Sequence, residues 1–465
     1  MYRTKKYISR KNKVKKTQKT QKTQKTQKTQ KTQKTQKTQK TQKSNTIKMN
    51  TSNFTARIII KDNVGGIVVD KDTIKNILES IGGKVEVVIY NDIKNNMKNH
   101  KKTNTNSHTK SHTKSHTKYK NVNIQIFIEH VFLEYPLETF PADKSYIFVN
   151  QEYIQDWDID RMLDKNKSQS IIPLCKTHES FKTLHNIGIT RAKYVGFGNN
   201  RKFAYIDKIS KIPNLFIHIV GASPMKGTRT LIDTWIKKKI MHPLIITANN
   251  KSSGNTNLFN YWKSLHPKVK PLPEIVLKKW EEWKKITNTN TNTNDSKLPH
   301  FGTIDSCSIY FCGSVVDYNV IQFLQSVADV HMCPSLIEGW GQYIDEGRRS
   351  KSVVLTLDAP PMNELVRDGS TGILVKAYKG PSMKSLLPFG WKQYFTKNID
   401  YNTFLYGTYK TTINDLYNGI NRILKMSLES KRQLGDNAFK QSQKDYEEFS
   451  KQFSKVILDE VKKIH

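Results

Sequence analysis

The 465-residue chain reads as an α/β protein with two parallel-sheet domains behind a disordered basic tail. Three observations lead there. Short apolar, β-branched runs recur along the chain and are continuous instead of alternating, as strands covered on both faces of a parallel sheet require. Helical patterns fall between them, the rhythm of βα units. The length supplies two cores rather than one. The expected divisions are a tail at 1–53, a first domain at 54–212 with a low-complexity insertion near 98–120, a second at 213–390, and a helical segment at 391–465.

The formal charge of +37 suggests a polyanion partner until its location is considered. Residues 1–53 hold eighteen Lys or Arg and no acid, and 98–120 add seven more; removing both leaves +12 on the rest. The tail centres on a KTQ triplet repeated from Lys16 to Gln42, with too little apolar surface to build a core. It could tether the protein to an anionic membrane surface or another polyanion, or be a tolerated repeat expansion. Similar repeats at Thr103–Asn106 and Thr287–Asn294 agree with the second reading, since loops lengthen at little entropic cost. His108, His112 and His116 recur every four residues, a metal-binding spacing only if that stretch is helical.

The four cysteines, Cys175, Cys307, Cys312 and Cys333, are scattered without a CxxC pair. They predict neither a disulfide framework nor a zinc site, and suit a reducing compartment. There is no apolar run of membrane-spanning length and no signal-peptide pattern. The expected location is cytoplasmic, with peripheral membrane attachment through the tail as an option and no specific nucleic acid as partner.

In the first domain, Thr55–Ile60 reads as a strand, Gly65-Gly66 as a turn and Ile67–Ile81 as a helix. Further strands are expected at Val85–Tyr90, Val122–Glu129, Tyr146–Val149 and Ser170–Cys175. Glu129-His130 would stand at a strand's carboxyl end, where open α/β sheets bind ligands; a lone histidine is equally consistent with a solvated or core role. Asp156-Trp157-Asp158-Ile159-Asp160 contains DxD twice, which reads either as a divalent-metal site or as an acidic helix start favoured by the dipole.

The second domain opens with Leu215–Val220 and Gly221, then Pro224-Met225-Lys226-Gly227-Thr228 and a helix carrying Leu231, Ile232, Trp235 and Ile236. The order Lys-Gly-Thr is not that of a nucleoside-triphosphatase P-loop. Strands are expected at His242–Ala248 and Ser308–Cys312, and Trp280 and Trp283 share a buried helix face. Ala328–Cys333 is a strand, after which Pro334-Ser335 and Gly339-Trp340-Gly341 turn the chain into a helix. Glu338 and Glu346 lie eight positions apart across this turn. Val353–Leu357 and a proline turn before Asn363-Glu364 follow.

This E-x7-E pair, preceded by Pro-Ser and followed by a strand, resembles the donor-site motif of retaining family-4 glycosyltransferases. The resemblance implies the GT-B fold, in which two Rossmann-like domains face each other, and transfer of a sugar from a nucleotide sugar with retention. It implies that Lys226, with the amides of Gly227 and Thr228, contacts the donor diphosphate. Glu338 would bind the sugar hydroxyls and act in catalysis, Glu346 the ribose, and Glu364 would line the sugar pocket. Ser335, Gly339, Trp340 and Gly341 would complete the donor site. His130 would be the cleft histidine, and Gly65 and Gly66 would border the acceptor side. Many relatives carry an arginine directly after the first glycine, where this chain has Ala222; Arg229 is a candidate replacement. The expected acceptor is a glycan, lipid or protein, with no metal and no cofactor beyond the nucleotide sugar itself. Two alternatives stand beside it: a polyanion- or nucleic-acid-binding protein on a GT-B-like scaffold, and a metal-dependent transferase using Asp156 and Asp158.

Overall fold

The structure, a computed structural model, describes residues 53–61, 65–90, 119–130, 140–150, 156–163, 171–201, 206–249, 251–287, 298–304, 306–382 and 407–464. The KTQ tail, the insertion with His108, His112 and His116, and the 288–294 repeat lie outside them.

The first sheet is built from β1 (Phe54–Ile60), β2 (Gly83–Ile89), β3 (Val122–Ile128), β4 (Ala142–Val149), β5 (Ile171–Cys175) and β6 (Lys193–Tyr194). Between them lie helices α1 (Gly65–Ser80), α2 (Asp156–Leu163) and α3 (His178–Asn186). The strand order is β2-β1-β3-β4-β5-β6, and every pairing is parallel. From Ala56 on, residues on both faces of β1 are buried, which is why this part of its sequence is apolar but for one residue. The exception is Arg57, fully buried, whose guanidinium bonds Glu86 and the Lys120 carbonyl.

The second sheet has the order β14-β13-β12-β7-β8-β11-β10-β9. Its strands are β7 (Ile212–Gly221), β8 (Leu244–Ala248), β9 (Lys268–Lys270), β10 (Phe301–Ile304), β11 (Ile309–Cys312), β12 (Ala328–Cys333), β13 (Val353–Leu357) and β14 (Ile373–Val375). Only the edge departs from parallel, with β10 running antiparallel to both β11 and β9. The helices are α4 (Thr228–Lys237), α5 (Thr256–Ser264), α6 (Glu274–Thr287), α7 (Tyr318–Val327), α8 (Gln342–Arg349) and α9 (Met362–Leu365). Trp280 and Trp283 of α6 pack on Phe323 of α7. A hairpin, β15 (Tyr378–Ser382) with β16 (Gly407–Lys410), and helices α10 (Ile413–Leu424) and α11 (Leu428–Ile464) complete the chain.

Each sheet reverses its winding once, between β1 and β3 in the first and between β7 and β12 in the second. Such switch points leave a crevice outside the carboxyl ends of the strands. The α11 helix crosses from one domain to the other. At its middle it lies on α8, with Arg348 of α8 paired to Asp445; one and two turns further on, Phe449 and Phe453 pack edge-on against Phe148 of β4. Two Rossmann-like sheets tied by a returning last helix make up the GT-B arrangement. Among the described residues no helix is long and apolar enough to cross a membrane.

Candidate active site

The loop after β7 and the loop after β12 meet at the second switch point. Gly227 makes this possible: its φ is 69°, and a β-carbon there would collide with the Pro334 carbonyl oxygen. Only glycine accepts both demands without strain. The Leu336 amide donates to the Met225 carbonyl at 2.8 Å, binding the two loops together. His218, buried in the middle of β7, fixes the register from below. Its Nδ1–H donates to the Met332 carbonyl at 2.7 Å, so its Nε2 accepts from the Thr228 hydroxyl at 2.9 Å. Burial lowers the imidazole pKa to about 4.

Above this floor the side chains form one chain of hydrogen bonds. The Tyr343 hydroxyl donates to Ser335 Oγ at 2.5 Å, and Ser335 Oγ donates to Glu338 Oε1. The Lys226 ammonium donates to the same carboxylate oxygen at 2.5 Å and lies 4.2 Å from the centre of the Tyr343 ring. Glu338 is nearly buried, so its pairing with Lys226 compensates a charge that would otherwise be costly there. Helices α4 and α8 begin beside the pair at Gly227 and Gly341, both left-handed and neither supplying a side-chain cap. Their first amides are therefore open to an anion.

Glu346 lies one turn into α8, in reach of Gln325 Nε2 at 2.6 Å and Arg201 at 3.7 Å. Burial raises its pKa, and the Arg201 charge opposes that. Arg201 also stacks over Tyr318 at 4.3 Å.

The first domain closes the other side. Gly66, at the start of α1, packs so tightly on Gln342 that a β-carbon there would strike its side-chain oxygen. Gly65 precedes it as the first residue of α1. At the carboxyl ends of β3 to β5, Glu129, Asn150 and Lys176 form a second network. Asn150 Nδ2 donates to Glu129 at 2.6 Å, Asn150 Oδ1 accepts from Lys176 at 3.1 Å, and Lys176 pairs with Asp70 of α1. A β-carbon on Gly339 would sit 2.5 Å from Asn150 Oδ1, so this network abuts the donor-side loop.

Three expectations need correction. Trp340 does not face the crevice: it is 5% exposed and packs edge-on to Phe197 at 4.9 Å, so its rings brace the domains. Glu364 does not line a pocket; its carboxylate accepts from the amides of His178 and Glu179 at 2.8 and 3.0 Å, capping α3 of the opposite domain. Arg229 does not replace the missing arginine, since its guanidinium lies over Tyr261 at 4.7 Å. The DxD stretch opens α2, as its helix-start reading has it, and the carboxylate of the fully buried Asp158 faces His130 Nδ1 at 3.1 Å. Among the described residues no group of three or more His, Cys, Asp or Glu is placed to hold a metal ion.

His218, Tyr343, Asn150, Lys176, Arg201 and Gln325 carry no motif. A histidine amid the apolar strand Phe216–Val220 was the one visible signal.

No family model matches the chain, and no curated protein sequence matches it. Among solved structures it is similar to Alr3699/HepE of Anabaena in complex with UDP and glucose, at 13% identity, covering 88% of this chain and 100% of that one, with a TM-score of 0.48. The sucrose-phosphate synthase of Thermosynechococcus elongatus aligns at 11% identity over 87% and 98% of the two chains, TM-score 0.48. A glycosyltransferase from Rickettsia africae aligns at 12% over 88% and 99%, also at 0.48.

Proposed function

We propose that this chain is a glycosyltransferase that moves a sugar from a nucleotide sugar to a glycan, lipid or protein acceptor, with retention and without a metal or resident cofactor. The observation that carries the reading is the Lys226–Glu338 pair at the second switch point, flanked by two helix starts that no side chain caps.

Loss of a nucleoside diphosphate builds negative charge on its bridging oxygen. Lys226 and the first amides of α4 would stabilise that charge. To do so, Lys226 exchanges part of its contact with Glu338 for phosphate. Glu338 then turns its acceptor capacity to the sugar hydroxyls, since a carboxylate beside phosphate would be repelled. Glu346, held by Gln325, accepts from the ribose hydroxyls. Asn150, in tight contact with Gly339 of the donor-side loop, would help to exclude water from the reacting carbon.

The test is a panel of UDP-, GDP- and ADP-sugars with wild type, Lys226→Ala and Glu346→Ala. Each variant should lose about 1–3 kcal/mol of nucleotide binding, roughly 5- to 150-fold in Kd. Unchanged affinity in both variants would sink the assignment.

A further inference from the structure

Beside Glu346 stands a second charged group, and it comes from far along the chain. Arg201 belongs to the segment after β6 that leads into the second domain, yet its side chain ends between Tyr318 of α7 and Glu346 of α8. The guanidinium carbon lies 4.3 Å from the centre of the Tyr318 ring, and a guanidinium nitrogen lies 3.7 Å from Glu346 Oε1. The contact is open to solvent: the Arg201 side chain is 30% exposed and that of Glu346 16%.

Arg201 is held in place through its backbone. Its amide donates to Asn199 Oδ1 at 3.1 Å, and its carbonyl accepts from Arg349 Nε at 2.8 Å. Arg349 Nη1 also donates to the Asn199 carbonyl at 2.7 Å, and Asn199 Nδ2 donates to Asp345 Oδ2 at 2.9 Å. Asp345 and Arg349 stand one turn apart on α8, on either side of Glu346 in sequence, and both are buried, as is Asn199. A buried polar network of this kind rigidifies the segment it holds. One helix therefore carries the carboxylate and also the clamp that sets the guanidinium next to it.

A carboxylate only accepts hydrogen bonds and a guanidinium only donates them, whereas a hydroxyl does both. At 3.7 Å the two groups are too far apart for a direct hydrogen bond. Glu346 Oε2 is taken by Gln325 at 2.6 Å, so Oε1, approached by Arg201 and at 3.4 Å by Gln342, is the oxygen turned toward a ligand. A vicinal diol arriving here donates to Oε1 and accepts from the guanidinium, whose plane is steadied by Tyr318.

We propose that Arg201 is the second half of the ribose site, a specificity-determining residue that selects ribonucleotide over deoxyribonucleotide donors. The inference rests on the sugar-transfer reading above and deepens its assignment of Glu346.

The experiment measures Kd for full-length wild type, Arg201→Ala, Arg201→Lys and Glu346→Ala with UDP, GDP, ADP and the 2′-deoxy and 3′-deoxy forms of each. For the nucleotide that wild type binds, at least one deoxy form should bind about tenfold more weakly. Arg201→Ala should lose about tenfold on the parent nucleotide but less than about twofold on that deoxy form, which already lacks the interaction. Lysine keeps the charge beside Glu346 without the planar fork, so Arg201→Lys should discriminate by less than about threefold. Equal losses on parent and deoxy forms in Arg201→Ala would reduce Arg201 to a counter-charge or a support for α8 and overturn the proposal. So would full wild-type discrimination in Arg201→Lys, or a wild type that binds parent and deoxy forms alike. If Glu346→Ala loses discrimination while Arg201→Ala keeps it, Arg201 is excluded and the assignment of Glu346 stands. If wild type binds none of the nucleotides, the sugar-transfer reading itself fails and takes this inference with it.

Discussion

A buried histidine beneath the Lys226 loop makes stability depend on pH. His218 bridges the Met332 carbonyl and the Thr228 hydroxyl as a neutral ring, and its pKa in the fold is about 4 against an ordinary 6.5. Between those values the unfolded chain binds more protons than the folded one. Stability is therefore fully present above about 6.5 and is lost as pH falls toward 4. The loss from this one group is on the order of 3 kcal/mol. Thermal melts from pH 7 to 4 should show the decline, and His218→Gln, which cannot take the charge, should flatten it. Sensitivity remaining in the variant would come from other groups, among them His331, held down to about 3 by burial and the Lys211 charge, and His242, lowered by burial. An equally steep decline in His218→Gln would rule out this origin.

At the scale of elements, the helix starts differ in how they are capped. Helices α3, α7 and α10 are capped by Thr177, Asp317 and Thr412 respectively. Helices α4 and α8 start on left-handed glycines without a side-chain cap. Helices α5 and α9 also lack a side-chain cap; what sets α4 and α8 apart is the left-handed glycine at the start of each, beside the Lys226–Glu338 contact. The first turn of α3 has a second partner in Glu364, which reaches it from the facing domain. Because that carboxylate is exposed, Glu364→Ala should cost about 1 kcal/mol or less of global stability. Its larger effect should be on closure: KM for the acceptor rises while nucleotide affinity in the isolated donor step is kept. Steady-state kinetics with both substrates varied would separate the two, and an unchanged KM would exclude a closing role.

For the whole molecule, the decisive element is α11, a 37-residue helix. Its apolar stripe does not close a bundle; it leaves α8 and lands on the first sheet. Gly198 lies so close beneath Tyr446 that a β-carbon would sit 2.6 Å from the Tyr446 Cα. Phe449, 1% exposed, meets Phe148 of the first domain and Phe197 of the chain segment joining the two. Phe449→Ala should cost about 3–5 kcal/mol and loosen the domains together. Calorimetry should then show one transition for wild type and a broadened or split one for the variant. A single, equally sharp transition at the wild-type temperature would show that α11 does not couple the domains.

Most strands were legible because burial on both faces leaves a continuous apolar signature: Ala328–Cys333 and Val353–Leu357 have the same limits in sequence and structure. Edge pieces such as Lys268–Lys270, exposed at every residue, leave no such trace. Lys226, Glu338 and Glu346 were visible because each sits at a fixed offset from a strand or helix start, a local property of the chain. The partners Asn150, Arg201 and Gln325 come from distant segments, and nothing in their neighbourhoods marks them. Trp340 and Glu364 were misplaced for the same reason, since both face the opposite domain. The sequence alone thus determined the order of elements and the residues at the strand ends. Which of those residues meet across the crevice was decided by how two sheets, each already folded by its own short-range pattern, are held together by α11 and the interdomain aromatic cluster.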